Sequence, residues 1–465
     1  MVASPTSTTE TLATLTAHSW TPQPKPAQLV QRLLNECLDQ SPFAAQLSQR
    51  MLQDTGTRLL DWIDHFGLST GDALLAELPG VGYVPGVSIQ GQPVWSHPEG
   101  LFPRLRPLRE KKRQLAIKVS SVVDFLCAHQ LTDVAIKGES FSPLRKACVA
   151  QGKEVDFWVV ERHGTLDFEP TVGSSTVSNA ALIVHHAEAL LLRRRDFESD
   201  AAGFAHANKM IDAAIADLGR DRACDLFFTA ERAYWQRRNR AGQIQVARQD
   251  KLGLGWANHD HHTYRSSRES FASLIAFLEK LGFECRERFY AGREAGWGAQ
   301  VIEHPVTGVI IFADVDMSPE ELAHDFSHEP LPPRDELGTV GLWCALHGEA
   351  FLQAGMHHLE CQFDFAATRD QLKRAGIDTM PPFTDLPYLR QAFTRGEWWT
   401  VNPARVERLR VARKITDEQA RQFLQQGALG SHLEILQRED GYKGFNQRGI
   451  NEIISATDPR RASPG

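Results

Sequence analysis

Residues 258–265 read Asn258-His259-Asp260-His261-His262-Thr263-Tyr264-Arg265, which brings three histidines and an arginine into one short stretch. In an extended strand successive side chains alternate between the two faces, so His261 and Arg265 share one side. Imidazole is the commonest metal ligand in proteins, and a guanidinium is a natural clamp for a carboxylate. The stretch therefore predicts a strand face that holds a metal beside an acidic substrate, with a polar, solvated turn as the alternative.

Length and composition narrow the class of protein. A chain of 465 residues predicts two or three domains, and 42% hydrophobic with 23% charged residues is typical of a globular protein. A formal net charge of -7 gives no overall signature of nucleic-acid binding, and no apolar run is long enough to predict a membrane span. The seven cysteines are scattered without C-x-x-C pairs, and no secretory signal is expected, so we predict a cytoplasmic protein.

The first half of the chain is predicted to be mainly helical and to have no recognisable chemistry. Residues 1–26 form a polar, proline-containing lead, and residues 27–252 form an N-terminal domain of unknown role. Within that domain we detect no internal repeat. The patterns predict irregular structure over 78–106, a helix over 111–126, a helix near 143–150 between short strands at 133–137 and 155–160, and helices from about 178 to 247.

The second half predicts an α+β fold built from paired β-α-β-β-β modules. In the first module, residues 253–316, an apolar helix follows strand 259–265 and three strands come after it. A connector over 317–354, rich in proline and acidic residues, follows. Residues 355–455 form the second module and repeat this order, beginning with a strand over 356–365. A charged helical insertion is predicted at about 403–426 and a last strand at 430–436. Residues 456–465 form a tail.

Three residues on separate strands are predicted to bind one metal. Strict alternation over 356–365 turns His358 away from the apolar core, while His357 lies with the buried set. Glu434 lies on a strand near the C-terminus. Two imidazoles and one carboxylate make a facial triad that leaves positions open for substrate and dioxygen, so we predict His261, His358 and Glu434 as ligands. His259 or His262 in place of His261 remains open.

With these residues, the region from about 256 to 452 resembles the vicinal oxygen chelate superfamily. Within it the region is most similar to the iron-dependent 2-oxoadipate dioxygenase/decarboxylase (hydroxyglutarate synthase) family. The matching motifs are His261 with Arg265, His358-Leu359, Leu389-Arg390-Gln391 with Phe393, and Gln447-Arg448-Gly449. That family has its ligand glutamate just before the last motif, where this chain reads Lys443-Gly444-Phe445-Asn446. The carboxylate ligand is therefore assigned to Glu434.

The resemblance implies an activity as well as a fold. It implies iron(II), with another divalent metal as the alternative, and a dioxygenase that oxidatively decarboxylates a small anionic 2-oxo acid. Arg265 and Arg390 would hold the substrate carboxylate. The alternatives are an extradiol-type dioxygenase or a metal-dependent isomerase or lyase of the same fold, and a non-enzymatic binding protein.

Two further groups of histidines have the composition of metal sites without the context. His185, His186 and Glu188 lie on a predicted helix with no further ligand nearby, which favours a structural or surface role. His324 and His328 lie in the acidic connector, and an exposed linker does not hold ligands in a fixed geometry.

Overall fold

The computed structural model describes residues 20–88, 90–171, 175–446 and 457–460, with side chains for all of these except 175–178 and 385. Two eight-stranded mixed sheets form the framework, one in each half of the chain. No helix in the described residues is both long and apolar enough to cross a membrane.

The first sheet lies in the N-terminal half. Its strands run in the order β2-β3-β4-β1-β5-β8-β7-β6. Their bounds are β1 Ile63–Ser69, β2 Val84–Val87, β3 Pro93–Ser96, β4 Arg104–Leu108, β5 Arg113–Lys118, β6 Ile136–Lys137, β7 Leu144–Gln151 and β8 Val155–Arg162. β8 is rich in β-branched and aromatic residues, which pack well on a pleated surface.

Four helices among the described residues pack on this sheet. They are α1 Pro24–Gln40, α2 Pro42–Arg50, α3 Leu74–Glu77 and α4 Val122–Ala128. The buried residues of α1, among them Leu29, Leu33 and Cys37, recur at helical spacing and form one core with Phe66 and Phe157 of the sheet. Short 3₁₀ or π turns complete this region at Met51–Thr55, Leu59–Trp62 and Leu78–Val81.

Four helices connect the two sheets, as the sequence predicts between about 178 and 247. They are α5 Ser175–Leu191, α6 Asp200–Leu218, α7 Arg220–Gln236 and α8 Arg240–Asp250. Ser199 and Asn239 cap the N-termini of α6 and α8 by accepting hydrogen bonds from the backbone amides of Ala202 and Gly242.

The second sheet contains the paired modules. Its order is β10-β11-β12-β9-β13-β18-β15-β14. The bounds are β9 His259–Arg265, β10 Glu284–Tyr290, β11 Trp297–Glu303, β12 Ile310–Asp316, β13 His358–Gln362, β14 Thr384–Leu386, β15 Leu389–Phe393, β16 Trp398–Trp399, β17 Ala428–Leu429 and β18 His432–Arg438. Strands β16 and β17 pair separately as a two-stranded ribbon at the base of the helical insertion, outside the main sheet.

The helices of this half are α9 Phe271–Lys280, α10 Thr339–His347, α11 Phe365–Arg374, α12 Pro403–Val411 and α13 Asp417–Gln426. Helix α9 follows β9 and α11 follows β13, which gives each module its β-α-β-β-β order. Helix α10 and two short turns, Pro319–Ala323 and Ala350–Ala354, lie in the predicted connector. The predicted α+β class with paired modules is confirmed.

The two sheets have the same topology. In each, the first and fourth strands of a module pair in parallel, as β1 with β4 and β9 with β12. The second modules repeat this with β5 and β8 and with β13 and β18. The two modules of each half then join through an antiparallel pair, β1 with β5 and β9 with β13. The chain thus contains four modules in two pairs.

The strand register makes the correspondence residue by residue. Gly67 lies opposite Gln114 as Thr263 lies opposite His358, and each pairing has an irregularity two to three residues further on. In the parallel pairs, Ala116 lies opposite Trp158 as Glu360 lies opposite Glu434. The paired positions of the central strands in one sheet therefore have counterparts in the other sheet.

The structure corrects the N-terminal prediction. Helices do make up much of residues 27–252, but the same region holds an eight-stranded sheet and a repeat that the sequence did not reveal. Strands β2, β3 and β4 occupy the segment predicted to be irregular. The predicted helix over 111–126 is β5 followed by α4, and the predicted helix near 143–150 is β7, because pairing with β8 overrides the helix propensity of its alanine, leucine and lysine residues.

Candidate metal centre and substrate cavity

The three predicted ligands come from neighbouring strands at the centre of the second sheet. His358 Nε2 lies 3.2 Å and His261 Nε2 lies 3.9 Å from Glu434 Oε2. One ligand atom from each of the three residues lies within 4.8 Å of the others. All three belong to the face of the sheet that lines a cavity. Three ligands arranged in this way would occupy one face of a bound metal and leave its opposite face open to other ligands.

The charges at this cluster fit a cation. Burial and the nearby Glu360 carboxylate raise the pKa of Glu434 well above its ordinary value, because both oppose a negative charge there. Burial and the charge of His261 hold the pKa of His358 well below its usual range, so His358 offers a neutral imidazole. A divalent metal would supply the missing positive charge.

His261 is oriented by acidic residues behind it. Its Nδ1 lies 2.7 Å from Glu360 Oε1 and 3.5 Å from Asp260 Oδ2, which leaves Nε2 facing the cluster. Burial lowers the pKa of His261, but the charges of Glu360 and Asp260 outweigh it and raise the pKa to about 9. A carboxylate behind a ligand histidine fixes its ring and increases its basicity as a ligand.

Replacing Glu360 with glutamine tests this orienting role. We expect Glu360→Gln to weaken metal binding roughly 10- to 100-fold, the usual cost of losing an outer partner of a ligand. The measurement is a chelator competition with iron(II) or cobalt(II), and Glu418→Gln on the exposed surface of α13 is the matched control. An unchanged affinity would contradict the role, and complete loss of the metal would make Glu360 a ligand itself.

The arginine predicted on β15 is not at the site. Arg390 is exposed, and alternation along the strand puts its neighbour Gln391 on the cavity face instead. Gln391 Nε2 donates hydrogen bonds to Glu434 Oε1 at 3.1 Å and to Glu360 Oε2 at 3.2 Å. Arg390 is therefore withdrawn as a substrate-binding residue, and Gln391 takes a place that the sequence reasoning missed.

Glu360 could have been found from the sequence. It shares a face with His358 in the alternating segment, two residues along the same strand. Gln391 lies within the motif Leu389-Arg390-Gln391, where the correct strand parity would have identified it. The predicted motif Gln447-Arg448-Gly449 lies outside the described residues.

The other histidines of β9 face away from the cluster. His262 Nε2 lies 3.4 Å from Arg232 Nη1, and His259 donates from Nδ1 to the carbonyl oxygen of Trp256 at 2.9 Å. His357 is buried with its Nδ1 3.0 Å from the carbonyl oxygen of Gly430. Of the three histidines in the opening stretch, the cluster includes His261.

A buried ion pair supports the strand ends behind the cluster. Arg438 donates from Nε to Asp260 Oδ1 at 3.1 Å and from Nη2 to Oδ2 at 3.0 Å. The first sheet has the same pair at the corresponding positions, where Arg162 donates to both oxygens of Asp64 at 2.6 and 2.9 Å. Such two-point contacts fix both side chains in position.

The cavity beside the cluster combines aromatic walls with one cation. Its volume is about 80 Å³, and a single water needs roughly 10–15 Å³. Arg265, only 4% exposed, lines it, and its Nε and Nη1 form no hydrogen bond with the described residues. Burial raises the pKa of the adjacent Asp314 to about 7 despite the charge of Arg265. The aromatic walls are Phe289, Trp297, Phe312, Phe383, Phe393 and Phe445.

The corresponding positions of the first sheet do not carry the ligand set. By register, His65, Gln114 and Trp158 stand where His261, His358 and Glu434 stand in the second sheet. An indole cannot replace a carboxylate ligand. Of the three ligand positions, the first sheet has the same residue type at one, where His65 corresponds to His261.

The chain itself packs against this face of the first sheet. The ring of Phe168, which is 1% exposed, lies 4.8 Å from that of His65. The Glu169 carboxylate lies 2.7 Å from Lys146 Nζ and 3.0 Å from Arg106 Nη1. Among the described residues, the first sheet thus has an aromatic and ionic filling where the second has its cavity.

The remaining histidine groups behave as structural or surface residues. His186 Nε2 lies 2.7 Å from Asp217, while His185 and Glu188 are exposed. His328 lies 2.8 Å from both Asp325 and Glu279 on the surface, where Cys285 completes a possible group of ligands. Exposed groups of this kind are common without a bound metal.

Comparisons with known proteins give similarity to solved structures alone. No family model and no curated protein matches the sequence. 4-Hydroxymandelate synthase from Streptomyces coelicolor, as a triple mutant, is 13% identical over 86% of this chain and 98% of its own, with a TM-score of 0.29.

Two other solved structures cover less of the chain. Methylmalonyl-CoA epimerase from Mycobacterium tuberculosis is 11% identical over 39% of this chain and 88% of its own, with a TM-score of 0.23. The uncharacterized protein YdcJ from Shigella flexneri is 13% identical over 50% of this chain and 81% of its own, with a TM-score of 0.27. The fold assignment rests on the strand order described above.

Proposed function

We propose that this protein is a non-haem iron(II)-dependent dioxygenase that acts on a small 2-oxo acid with oxidative decarboxylation. The observation that carries the proposal is the convergence of His261, His358 and Glu434 beside a cavity that contains the buried cation of Arg265. Two histidines and one carboxylate are the ligand set of non-haem iron(II) oxygenases. Iron(II), when bound, would supply the redox chemistry with dioxygen and a coordination site for the 2-oxo acid.

Arg265 gives the cavity its preference for an acid. Its guanidinium is buried beside Asp314, but its Nε and Nη1 form no hydrogen bond with the described residues and remain available to an incoming carboxylate. Arg265 lies four residues beyond His261 on β9, about 13 Å along an extended strand. This spacing favours a contact with the end of the substrate that lies away from the ligand cluster.

The aromatic walls would hold the body of the substrate and exclude water. The ring of Phe312 lies 4.7 Å from that of His261, and the ring of Phe393 lies 5.2 Å from that of His358. Closely packed rings around the cluster lower the local polarity, which strengthens the attraction between Arg265 and a carboxylate. We infer a substrate with a compact apolar group.

Replacing Arg265 with methionine tests the substrate class. We expect Arg265→Met to raise KM for the 2-oxo acid roughly 10- to 100-fold, since a hydrogen bond to a charged group contributes about 1.5–3 kcal/mol. Metal content should be unchanged, because Arg265 is not a ligand. The control is Arg390→Met on the exposed face of β15, and equal KM values for the two variants would contradict the role of Arg265.

The proposal as a whole is tested by oxygen uptake. Iron-loaded protein should consume oxygen and release carbon dioxide in equal amounts with at least one member of a panel of 2-oxo acids. Oxygen uptake with catechols but not with 2-oxo acids would favour the extradiol-type alternative. If neither class of compound causes oxygen uptake, the dioxygenase proposal is wrong and an isomerase or lyase using another divalent metal becomes the better hypothesis.

A further inference from the structure

A second cavity lies between the two halves of the chain, on the opposite side of β9 from the ligand cluster. Its volume is about 320 Å³, within the roughly 300–1,000 Å³ of small-molecule sites. Strand β5 contributes Lys118, helix α7 contributes Asp225 and Arg232, and β9 contributes His259. None of these residues has a role in the proposed dioxygenase chemistry.

Two cations on the wall of this cavity form no ion pair with a described carboxylate. Lys118 Nζ forms no hydrogen bond or ion pair with any residue that the structure describes. Arg232 contacts His262 Nε2 at 3.4 Å and Thr229 Oγ1 at 3.3 Å, and no described carboxylate lies within 4 Å of it. Burial lowers the pKa of both Lys118 and Arg232. The positive charges of both side chains also lower the pKa of their common neighbour Asp225, against the larger effect of burial.

The described acids that line the cavity form no direct ion pair with Lys118 or Arg232. Asp225 is engaged by His163, whose Nδ1 lies 3.0 Å from Asp225 Oδ2. Arg162, which also lines the cavity, is already paired with Asp64. Asp250 is exposed. Lys118 and Arg232 therefore lack a direct ion pair, and partly buried cations without one are costly unless a counter-charge approaches them.

The rest of the wall is suited to a small organic body. Phe228, Trp256, Val246 and Val309 are apolar. His259 uses Nδ1–H as a donor to the carbonyl oxygen of Trp256, so its Nε2 remains an acceptor. A ligand with an oxyanion, a compact apolar part and a hydroxyl or amino donor would satisfy each of these surfaces.

We propose that this cavity is a second ligand site, which binds the phosphate or carboxylate group of a small metabolite at Lys118 and Arg232. The site is separate from the metal cluster, and its occupancy does not depend on the proposed dioxygenase activity. Because Arg232 also contacts His262, the residue after the predicted ligand His261, a bound anion would act on the strand that carries that ligand.

The test is anion binding measured by calorimetry on the full-length, metal-free protein. Inorganic phosphate and malonate are the two probes, and they distinguish a phosphate site from a carboxylate site by their relative affinities. We expect saturable binding of at least one probe. Lys118→Met and Arg232→Met should each weaken it about tenfold or more, equivalent to losing one charge-assisted hydrogen bond.

Controls separate this site from the active-site cavity and from loss of folding. Lys251→Met, at an exposed lysine that follows α8, should bind like the wild type. Arg265→Met should also retain binding, because Arg265 lines the other cavity. Lys118→Gln provides a polar variant if the methionine variant is poorly folded. The proposal is wrong if neither probe binds at millimolar concentrations, or if Arg265→Met removes the binding while Lys118→Met does not.

Discussion

Glu434→Ala should leave the protein without stoichiometric metal and without measurable oxygen uptake. Glu434 supplies the only carboxylate of the predicted ligand set, and it lies within 4 Å of both imidazoles. Losing a ligand should cost more than the roughly 10- to 100-fold in metal affinity that losing an outer partner costs. Metal analysis after anaerobic loading with iron(II), together with oxygen uptake, measures both effects. His261→Ala and His358→Ala should behave in the same way.

The first sheet provides a matched control for this prediction. His65 occupies the position of His261 in the other module pair, and it is equally buried. We expect His65→Ala to retain full metal content. If Glu434→Ala also retains full metal content, the ligand assignment is wrong, and the group formed by Asp260, His261 and Glu360 becomes the next candidate.

Arg438→Met should destabilise the protein by about 3–5 kcal/mol, because removing one partner of a buried ion pair leaves the other charge uncompensated. The side chains of Arg438 and Asp260 are 4% and 2% exposed. Arg438 also donates to the carbonyl oxygens of Tyr442 and Gly444, so the substitution removes anchors of the chain after β18. The measurement is the free energy of unfolding in urea.

Two further variants provide the comparison for the loss of stability in Arg438→Met. Arg162→Met, which breaks the corresponding pair with Asp64 in the first sheet, should cost a similar amount. Arg390→Met changes an exposed residue on a neighbouring strand and should cost no more than about 0.5 kcal/mol. A loss for Arg438→Met as small as that for Arg390→Met would show that the ion pair contributes little to stability.

The second sheet could be predicted from the sequence because its strands have simple patterns. Alternation along β13 placed His358 on the cavity face, and alternation along β9 grouped His261 with Arg265. The prediction was wrong at Arg390, where the choice between two adjacent residues decides which face a side chain takes. A change of one residue in the assumed strand parity moves each side chain to the opposite face.

Two strands of the first sheet were predicted, at 133–137 and 155–160, but the rest of it was missed for a different physical reason. Strands β4 and β7 carry Arg104, Arg106 and Lys146, which are paired with carboxylates or stacked on Phe168 rather than exposed to solvent. Strand β7 lacks the apolar and polar alternation that marks a strand in sequence, and β4 contains a proline, which disfavours a strand prediction. Their partners are also distant in the chain, as for β5 with β8, and a local pattern does not reveal those contacts.

The same buried Asp–Arg ion pair occurs in both sheets. The first sheet retains Asp64 and Arg162 although two of its three ligand positions hold glutamine and tryptophan. One molecule thus contains the same architecture with and without the residues that would bind a metal. Variants at equivalent positions of the two sheets can therefore be compared within the same protein under the same conditions. Such a comparison separates the residues that the fold requires from those that the reaction requires.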